Sequence, residues 1–250
     1  MNPHNRRIVD QFTRWAKPFA ELPIHAETGP MARTIAACAP TRDTDILDVA
    51  CGPGILACAL AEHTRHVTGI DITPAMIGEA RARQAALGLE SLEWHVGDAT
   101  ALPFEDGRFD RVTTRYSFHH MPDPAAALAE MARVCRPGGR IVVIDATPEP
   151  RKQAAYDRME RLRDRSHTSA LTLDQLRTIG RDVALREILI DGYRLEARLD
   201  TLADVDDMPA LVVMFNADID SGDNSMSVGA WRATDGIRFH FPVSIVAWAR

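Results

Sequence analysis

Three acidic residues and a glycine turn form the most informative pattern in this sequence. Asp48 stands in an apolar run just before the turn Gly52–Gly54, and Asp71 and Asp98 follow the next two apolar runs. Glycines let a ligand approach the backbone closely, and the helix after the turn offers unpaired N–H groups. A carboxylate such as Asp71 can accept both hydroxyls of a ribose, and Asp98 with Ala99 can receive an adenine amino group. The pattern predicts a nucleoside site.

The same turn does not match the fingerprint of dinucleotide-binding proteins. That fingerprint is G-x-G-x-x-G, and Cys58 stands where the third glycine is expected. A nicotinamide-dependent oxidoreductase is therefore the less favoured interpretation of this turn.

The acids and glycines lie at the ends of elements that the hydrophobic pattern predicts. Strands are predicted over Asp45–Val49, His66–Ile70, Leu92–Val96, Phe109–Thr113 and Arg140–Asp145, and helices over Ile55–Glu62, Pro74–Leu87 and Pro124–Val134. Short strands that alternate with helices are typical of a doubly wound, mostly parallel α/β sheet. In such sheets ligands bind beyond the carboxyl ends of the strands, where these residues would meet.

The flanking segments are expected to complete one domain over residues 1–250. Helices are predicted over Arg6–Ala20, Pro30–Ala37, Lys152–Arg165 and Leu173–Arg181, further strands over Leu185–Leu195 and Arg238–Ala249, and a mobile loop over Asp218–Val228. The last strand should make an antiparallel edge of a seven-stranded sheet. Residues 1–40, including Leu22–His25, should form a helical lid or simply cover the sheet, 41–147 the binding core, and 148–250 the substrate side.

Composition narrows the classes of partner. A net charge of −6 and a pI near 5.8 argue against nucleic acid as a ligand. The four cysteines lack metal-binding spacing, so no metal site is expected. The first residues are polar and no 18-residue apolar run occurs, which predicts a cytoplasmic protein without a membrane span.

Five motifs in a fixed order carry a family resemblance. They are D-V-A-C-G-P-G, G-I-D-I-T-P-A-M-I, G-D-A-T-A-L-P-F, F-D-R-V-T-T-R-Y-S-F-H-H-M-P-D-P and R-P-G-G-R-I-V-V-I-D, which together span positions 48–145. In these motifs the chain resembles the class I methyltransferases that use S-adenosylmethionine (SAM), in the branch of the type 11 and the ubiquinone and menaquinone methylases. Ala50 replaces the commoner first glycine, and its small side chain should fit.

The resemblance implies SAM as the cofactor and a set of residues that bind it. These are Ala50, Gly52 and Gly54 in the turn beside the methionine moiety, Asp71 on the ribose, Ile72 and Met76 against adenine, and Asp98 and Ala99 at its edge. Asp98 could instead cap a turn. Asp48 is expected to orient the turn or contact the methionine ammonium, and Arg115 to reach the methionyl end unless it is simply exposed.

Two histidines after the fourth strand are candidates for a catalytic base. Methyl transfer needs an in-line nucleophile, and a base only where that nucleophile carries a proton. A neutral imidazole can take that role. Related O-methyltransferases pair a histidine of this doublet with an acid matching Asp145, which implies His119 with Asp145, whereas His120 is expected to pack under the helix at Pro124.

His167 is the third catalytic candidate. It lies between two predicted helices in R-D-R-S-H, which resembles an R-D-x-S-H stretch in one bacterial branch of these enzymes, and it could bind substrate. A helix cap by Ser166 or Asp164 explains the stretch equally well.

The nature of the acceptor is the least determined feature. The fourth strand is followed by Thr114–Ser117 and not by the motif D/N-P-P-Y/F/W of many nucleic-acid and protein methylases. Together with the acidic charge, this favours a small-molecule acceptor of natural-product or quinone-like type, with oxygen preferred over nitrogen, sulfur or carbon. The alternative is a non-catalytic or non-methylating SAM-binding homologue, and a monomer and a homodimer are both compatible with the sequence.

Overall fold

A mostly parallel sheet forms the centre of the computed structural model, which describes residues 3–21, 27–201 and 207–250. The strands are β1 Asp45–Val49, β2 His66–Asp71, β3 Leu92–Val96, β4 Phe109–Arg115, β5 Cys135–Ala146, β6 Arg186–Arg198, β7 Trp231–Ala233 and β8 Gly236–Ala249. The helices are α1 Pro3–Glu21, α2 Thr28–Cys38, α3 Ile55–Ala61, α4 Pro74–Leu87, α5 Pro124–Val134, α6 Gln153–Arg163, α7 Leu173–Asp182 and α8 Met208–Ser221. The predicted segment Leu22–His25 lies outside the described residues.

The predicted doubly wound, mostly parallel sheet is confirmed, but it has eight strands and not seven. Seven follow the order β3-β2-β1-β4-β5-β8-β6, and the short β7 pairs with β8 beside this path. β1 to β5 pair in parallel, and β8 runs antiparallel to its neighbours. A second detail differs from the expectation, because β8 pairs with both β5 and β6 and so leaves β6 at the edge. The buried run Ile245–Trp248 explains this, since an apolar run favours an interior strand.

Helices cover both faces of the sheet. Because side chains alternate along a strand, Ile46 points into the layer of α2, α3 and α4, whereas Leu47 points into the layer of α5 and α7. A third apolar cluster lies between α6, α8 and β8 and includes Tyr156 and Phe215. Burial on both faces explains why β1 is apolar throughout except for its two acids.

Proline and capping residues define the ends of the helices that follow the strands. α4 and α5 each begin with a proline, whose fixed φ suits the first helical turn. The Asp123 carboxylate accepts a hydrogen bond from the Ala126 N–H at the start of α5, and Thr172 and Gln175 form a capping box on α7. These local signals keep the carboxyl ends of the strands open at one edge of the sheet.

The loop predicted over Asp218–Val228 is shorter in the structure, where its first four residues belong to α8 and the remainder has no regular secondary structure. α8 runs through Ser221, and the buried Asp218 carboxylate accepts hydrogen bonds from both the N–H and the hydroxyl of Ser225. Val228 is also buried. The polar residues of this segment satisfy each other and fold back onto the third apolar cluster.

No helix within the described ranges is long and apolar enough to cross a membrane.

Candidate active site

A cavity of about 350 Å³ lies at the carboxyl ends of β1, β2 and β4. Its walls come from the turn after β1, the ends of β2 and β3, the turn after β4, and the inner face of α1. Strand ends in doubly wound sheets meet here because the strand order reverses at β1. The volume is in the range of small-molecule sites.

The turn between β1 and α3 brings the backbone up to the cavity. Gly52 has a φ of +53°, and a Cβ at this residue would meet no atom within 4 Å, because the residue faces the cavity. Gly54 has a φ of +73°, but a Cβ there would lie 2.6 Å from the Trp94 ring. The second glycine is therefore needed for packing as well as for backbone conformation.

Asp71 ties this turn to the end of β2. One carboxylate oxygen accepts a hydrogen bond from the Gly52 N–H at 2.9 Å, and the other accepts from the Thr73 N–H at 2.8 Å. Burial raises the pKa of Asp71, although the two backbone hydrogen bonds oppose the shift. Each oxygen keeps a further lone pair, and the residue lines the cavity, so the arrangement suits a ribose.

Asp48 is a buried carboxyl group with one unpaired oxygen among the described residues. The residue is 1% exposed, and its Oδ2 has no hydrogen-bond partner among the described residues. Burial raises the pKa of Asp48 to about 7, although the charge of Arg115 opposes the shift. A buried carboxylate oxygen is costly unless it is paired, so a cationic ligand would stabilise it. The residues present therefore fit the ammonium of a bound methionine moiety.

Asp98 realises both interpretations of its role. Its Oδ1 accepts hydrogen bonds from the backbone N–H and the hydroxyl of Thr100, as a turn cap does, and its Oδ2 accepts from Asn5 of α1 at 2.8 Å. Asp98 also lines the cavity. All the predicted cofactor residues except Gly54 do so, namely Asp48, Ala50, Gly52, Asp71, Ile72, Met76, Asp98, Ala99 and Arg115.

The two histidines after β4 are neighbours with different partners. The cavity wall formed by the described residues contains His120 and does not contain His119. The Nδ1 of His119 lies 2.5 Å from Oδ1 of Asp145. The two imidazole rings lie side by side in the 3₁₀ turn Phe118–His120, with centroids 4.1 Å apart. The predicted contact of His119 with Asp145 is present, and His120 is a second candidate for contact with a ligand.

The charges of these histidines also differ. Burial disfavours a positive charge on His119, but the Asp145 carboxylate and the hydrogen bond to it outweigh burial and raise the pKa of His119. Burial and the neighbouring His119 lower the pKa of His120 to about 3. His120 is therefore the neutral imidazole, and only a neutral imidazole can accept a proton.

His167, the third predicted catalytic residue, is not among the described residues that line this cavity. Its side chain is fully buried, and its Nε2 lies 2.8 Å from Oδ1 of Asp157 on α6. Its Nδ1 has no hydrogen-bond partner among the described residues. Ser166, which the sequence offered as a helix cap, also contacts His120.

Residues of α1 complete the site, and the sequence pattern did not single them out. Asn5, Ile8 and Phe12 line the cavity, and the Phe12 ring meets the His120 ring edge-on with centroids 5.0 Å apart. The sequence predicted a helix over Arg6–Ala20 within a segment that forms a lid or covers the sheet, and the cavity contacts are those expected of a lid. No clustered group of three or more metal-ligating side chains occurs in the described part of the chain.

The fold and the cavity together define a nucleoside-binding α/β domain of the kind that holds SAM. Residues 47–143 match the family described as the methyltransferase domain. The chain belongs to the SAM-dependent class I methyltransferases, as its motifs suggested, and SAM is the cofactor of this family.

Named relatives are consistent with this family. The chain is 30% identical over 166 residues to the uncharacterized methyltransferase YcgJ of Bacillus subtilis, covering 66% of each chain. It is 44% identical over 108 residues to a demethylmenaquinone methyltransferase of Thermus thermophilus, covering 42% of this chain and 49% of that protein. The matches thus span from half to two thirds of these relatives.

Solved structures show the same fold. The crystal structure of YcgJ aligns with a TM-score of 0.82 at 23% identity, covering 90% of this chain and 99% of that one. A geranyl diphosphate methyltransferase in complex with SAM aligns with a TM-score of 0.65 at 16% identity, covering 90% and 85%. At these identities the likeness concerns the fold alone.

Proposed function

We propose that this protein transfers a methyl group from SAM to a small acceptor, with oxygen as the favoured atom. The observation that carries the proposal is that His120, a neutral and buried imidazole, shares one cavity with the residues that fit SAM. A base in that place is useful only if the acceptor loses a proton, as a hydroxyl does. The acceptor is of natural-product or quinone-like type and is not a nucleic acid, in keeping with the acidic charge.

The cofactor half of the cavity would hold SAM through three carboxylates. Asp48 pairs with the ammonium, Asp71 accepts the ribose hydroxyls, and Asp98 lies at the adenine edge, while the turn at Gly52 allows close approach. When bound, SAM supplies a methyl group already activated on a sulfonium. The protein therefore needs to contribute position, exclusion of water and a place for one proton.

His120 would take that proton. Bound SAM would supply the methyl group and would leave as the neutral thioether, and His120 would accept the hydroxyl proton that the acceptor loses. The low pKa of His120 makes it a weak base before transfer, but the acceptor hydroxyl becomes strongly acidic as its oxygen gains a methyl group. The proton can then leave to water when product is released.

The other half of the cavity suits an apolar acceptor. Ile8 and Phe12 of α1 and Met121 and Pro122 after the 3₁₀ turn are apolar lining residues of the cavity, and such side chains would exclude water from the reacting atoms. Tyr116 also lines this half. An acceptor with a ring or an isoprenoid-like body and one hydroxyl matches such walls.

Carbon is the second candidate for the methylated atom. Among the curated relatives are proteins named ubiquinone/menaquinone biosynthesis C-methyltransferase, one of which is 40% identical over 124 residues. A hydroquinone ring carbon also becomes nucleophilic when its hydroxyl loses a proton, so His120 would serve both reactions. The opposing hypothesis is a SAM-binding homologue that does not methylate. Such a protein would bind SAM but would not transfer its methyl group to an acceptor.

The proposal is tested by binding first and transfer second. Calorimetry should show SAM binding that Asp71→Ala abolishes, with no binding of NAD. Purified protein is then incubated with methyl-tritiated SAM and catechol, 1,4-naphthohydroquinone or benzenethiol, and label in the extracted product is counted. His120→Ala should reduce transfer by about 10²-fold or more, whereas His63→Ala, an exposed histidine, should not change it. Absence of SAM binding would refute the proposed function. If SAM binds and His120→Ala transfers the label as fast as the wild type, the role of His120 as the base is refuted.

A further inference from the structure

The loop between α6 and α7 contacts His120 through Ser166 and Asp164. Oγ of Ser166 lies 3.1 Å from Nδ1 of His120, and the same Oγ donates a hydrogen bond to Oδ1 of Asp164 at 2.6 Å. Ser166 is 1% exposed and Asp164 is 9% exposed. The three side chains form a buried chain from carboxylate to hydroxyl to imidazole.

The direction of the hydrogen bonds in this chain is determined by proton counting. The carboxylate of Asp164 can only accept, because its pKa lies well below neutral. The single hydroxyl proton of Ser166 is therefore committed to Asp164, and Ser166 offers only lone pairs to His120. Nδ1 of His120 must then carry the hydrogen of the neutral ring. Nε2, which lies 4.0 Å from Oδ2 of Asp164, is left with its lone pair.

The backbone of His120 is held in place as well. Its carbonyl oxygen lies 2.7 Å from Nε2 of His4 and accepts a hydrogen bond from the Thr168 hydroxyl at 3.1 Å. The N–H groups of Thr168 and Ser169 donate to the carbonyl of His119. Contacts from α1 and from the α6–α7 loop thus fix the backbone that carries the His120 side chain, as a precise site requires.

We propose that Asp164 and Ser166 are positioning residues that hold the proton of His120 on Nδ1 and leave Nε2 to accept the proton of the acceptor. The inference rests on the proposed function of His120 as the base. Ionisable groups surround this ring on several elements, namely His119 in the 3₁₀ turn, Asp145 on β5, Asp164 and His167 in the α6–α7 loop, and His4 on α1. Among them only Asp164 acts on His120 through a hydroxyl.

A matched pair of serines allows a controlled test. Ser169, three residues further along the same loop, donates its hydroxyl to Oδ2 of Asp157, which is paired with His167 outside the cavity wall. Ser169→Ala therefore removes the same group from an equivalent carboxylate without touching His120. Asp164→Asn preserves the shape of the side chain and removes the acceptor that commits the Ser166 proton.

The measurement is long-range proton–nitrogen NMR of the ligand-free protein with ¹⁵N-labelled histidine, assigned with His120→Gln. The wild type and Ser169→Ala should show at least about a tenfold preference for the Nδ1–H form of His120 at pH 7. Ser166→Ala should lose this preference, and Asp164→Asn should weaken it. If Ser166→Ala does not fold, Asp164→Asn alone tests the inference. An Nε2–H form in the wild type, or an unchanged preference in both loop variants, would overturn the inference.

The NMR result does not depend on any acceptor. If SAM fails to bind in calorimetry but the tautomer behaves as expected, the proposed function fails and the hydrogen-bond chain stands. If SAM binds and label is transferred but the tautomer is Nε2–H, the positioning role alone is refuted.

Discussion

Gly52, Gly54 and Gly69 differ in backbone conformation and in their contact with Trp94, so their alanine variants should differ in stability. Gly52 has a positive φ and open space at its Cβ position, whereas Gly69 has no positive φ but a Cβ there would lie 2.5 Å from Cε3 of Trp94. Gly54 combines both features, with a φ of +73° and a Cβ position 2.6 Å from Cη2 of the same ring. The three variants thus measure each cost alone and both together.

The expected costs follow from the two effects. A left-handed conformation costs an alanine about 1–2 kcal/mol, so Gly52→Ala should lower the free energy of unfolding by that amount. Overpacking in a core costs about 1–3 kcal/mol, which is the expectation for Gly69→Ala, because Trp94 is 9% exposed and confined between β2 and α4. Gly54→Ala should cost about 2–5 kcal/mol, the sum of the two.

Urea unfolding followed by far-ultraviolet circular dichroism gives these free energies, and calorimetry with SAM gives a second, independent reading. Gly52→Ala places a methyl group in the cavity and should weaken SAM binding strongly despite its modest stability cost. Gly69→Ala lies outside the wall and should retain affinity. Equal stability losses in Gly52→Ala and Gly54→Ala, or a neutral Gly69→Ala, would contradict the assigned role of Trp94.

Three more predictions concern single residues of the site. Ala50 has a φ of +52°, so Ala50→Gly should raise the free energy of unfolding by about 0.5–1 kcal/mol in urea unfolding. A lower free energy of unfolding in this variant would show that the backbone at Ala50 is not strained. Burial raises the pKa of Asp48 from 3.8 to about 7, so this residue taken alone should destabilise the ligand-free protein by up to about 4 kcal/mol as pH rises from 4 to 7. The lowered pKa of His120 acts in the opposite direction over the same range, so the quantity to measure is the difference between the wild type and Asp48→Asn. Asp48→Asn should gain stability relative to the wild type as pH rises and should weaken SAM binding, and equal slopes in the two proteins would contradict the raised pKa of Asp48. Asp145→Asn leaves the buried His119 unpaired and should cost about 3–5 kcal/mol near neutral pH, whereas a loss below 1 kcal/mol would mean that the pair is not a buried ion pair.

Much of the core could be predicted because its signals are local. β1, β3, α4 and α5 have the predicted bounds, since apolar runs, a leading proline and a closing Gly88 or Arg136–Gly139 mark them within a few residues. The cofactor residues could also be placed, because the ends of parallel strands share one edge of the sheet.

The remaining features depend on contacts distant in sequence. α8 was missed because its last turn is polar, and Asp218 becomes acceptable there only by capping Ser225 after the chain has folded back. β8 was placed at the edge because its alternation is imperfect, whereas the insertion between β5 and β6 is a property of topology. The contact of Asn5 with Asp98 joins residues 93 positions apart, which no local pattern encodes.

The histidine doublet places two neighbouring imidazoles in different electrostatic environments. His119 contacts Asp145, which favours a positive charge, whereas His120 lines the cavity, and burial and the neighbouring charge keep it neutral. Environments that push two titratable groups apart are how proteins assign acid and base roles. The two roles are coupled, because the charge on His119 is one cause of the low pKa of His120. Asp145 therefore acts on the proton acceptor through His119, while Asp164 and Ser166 act on it directly.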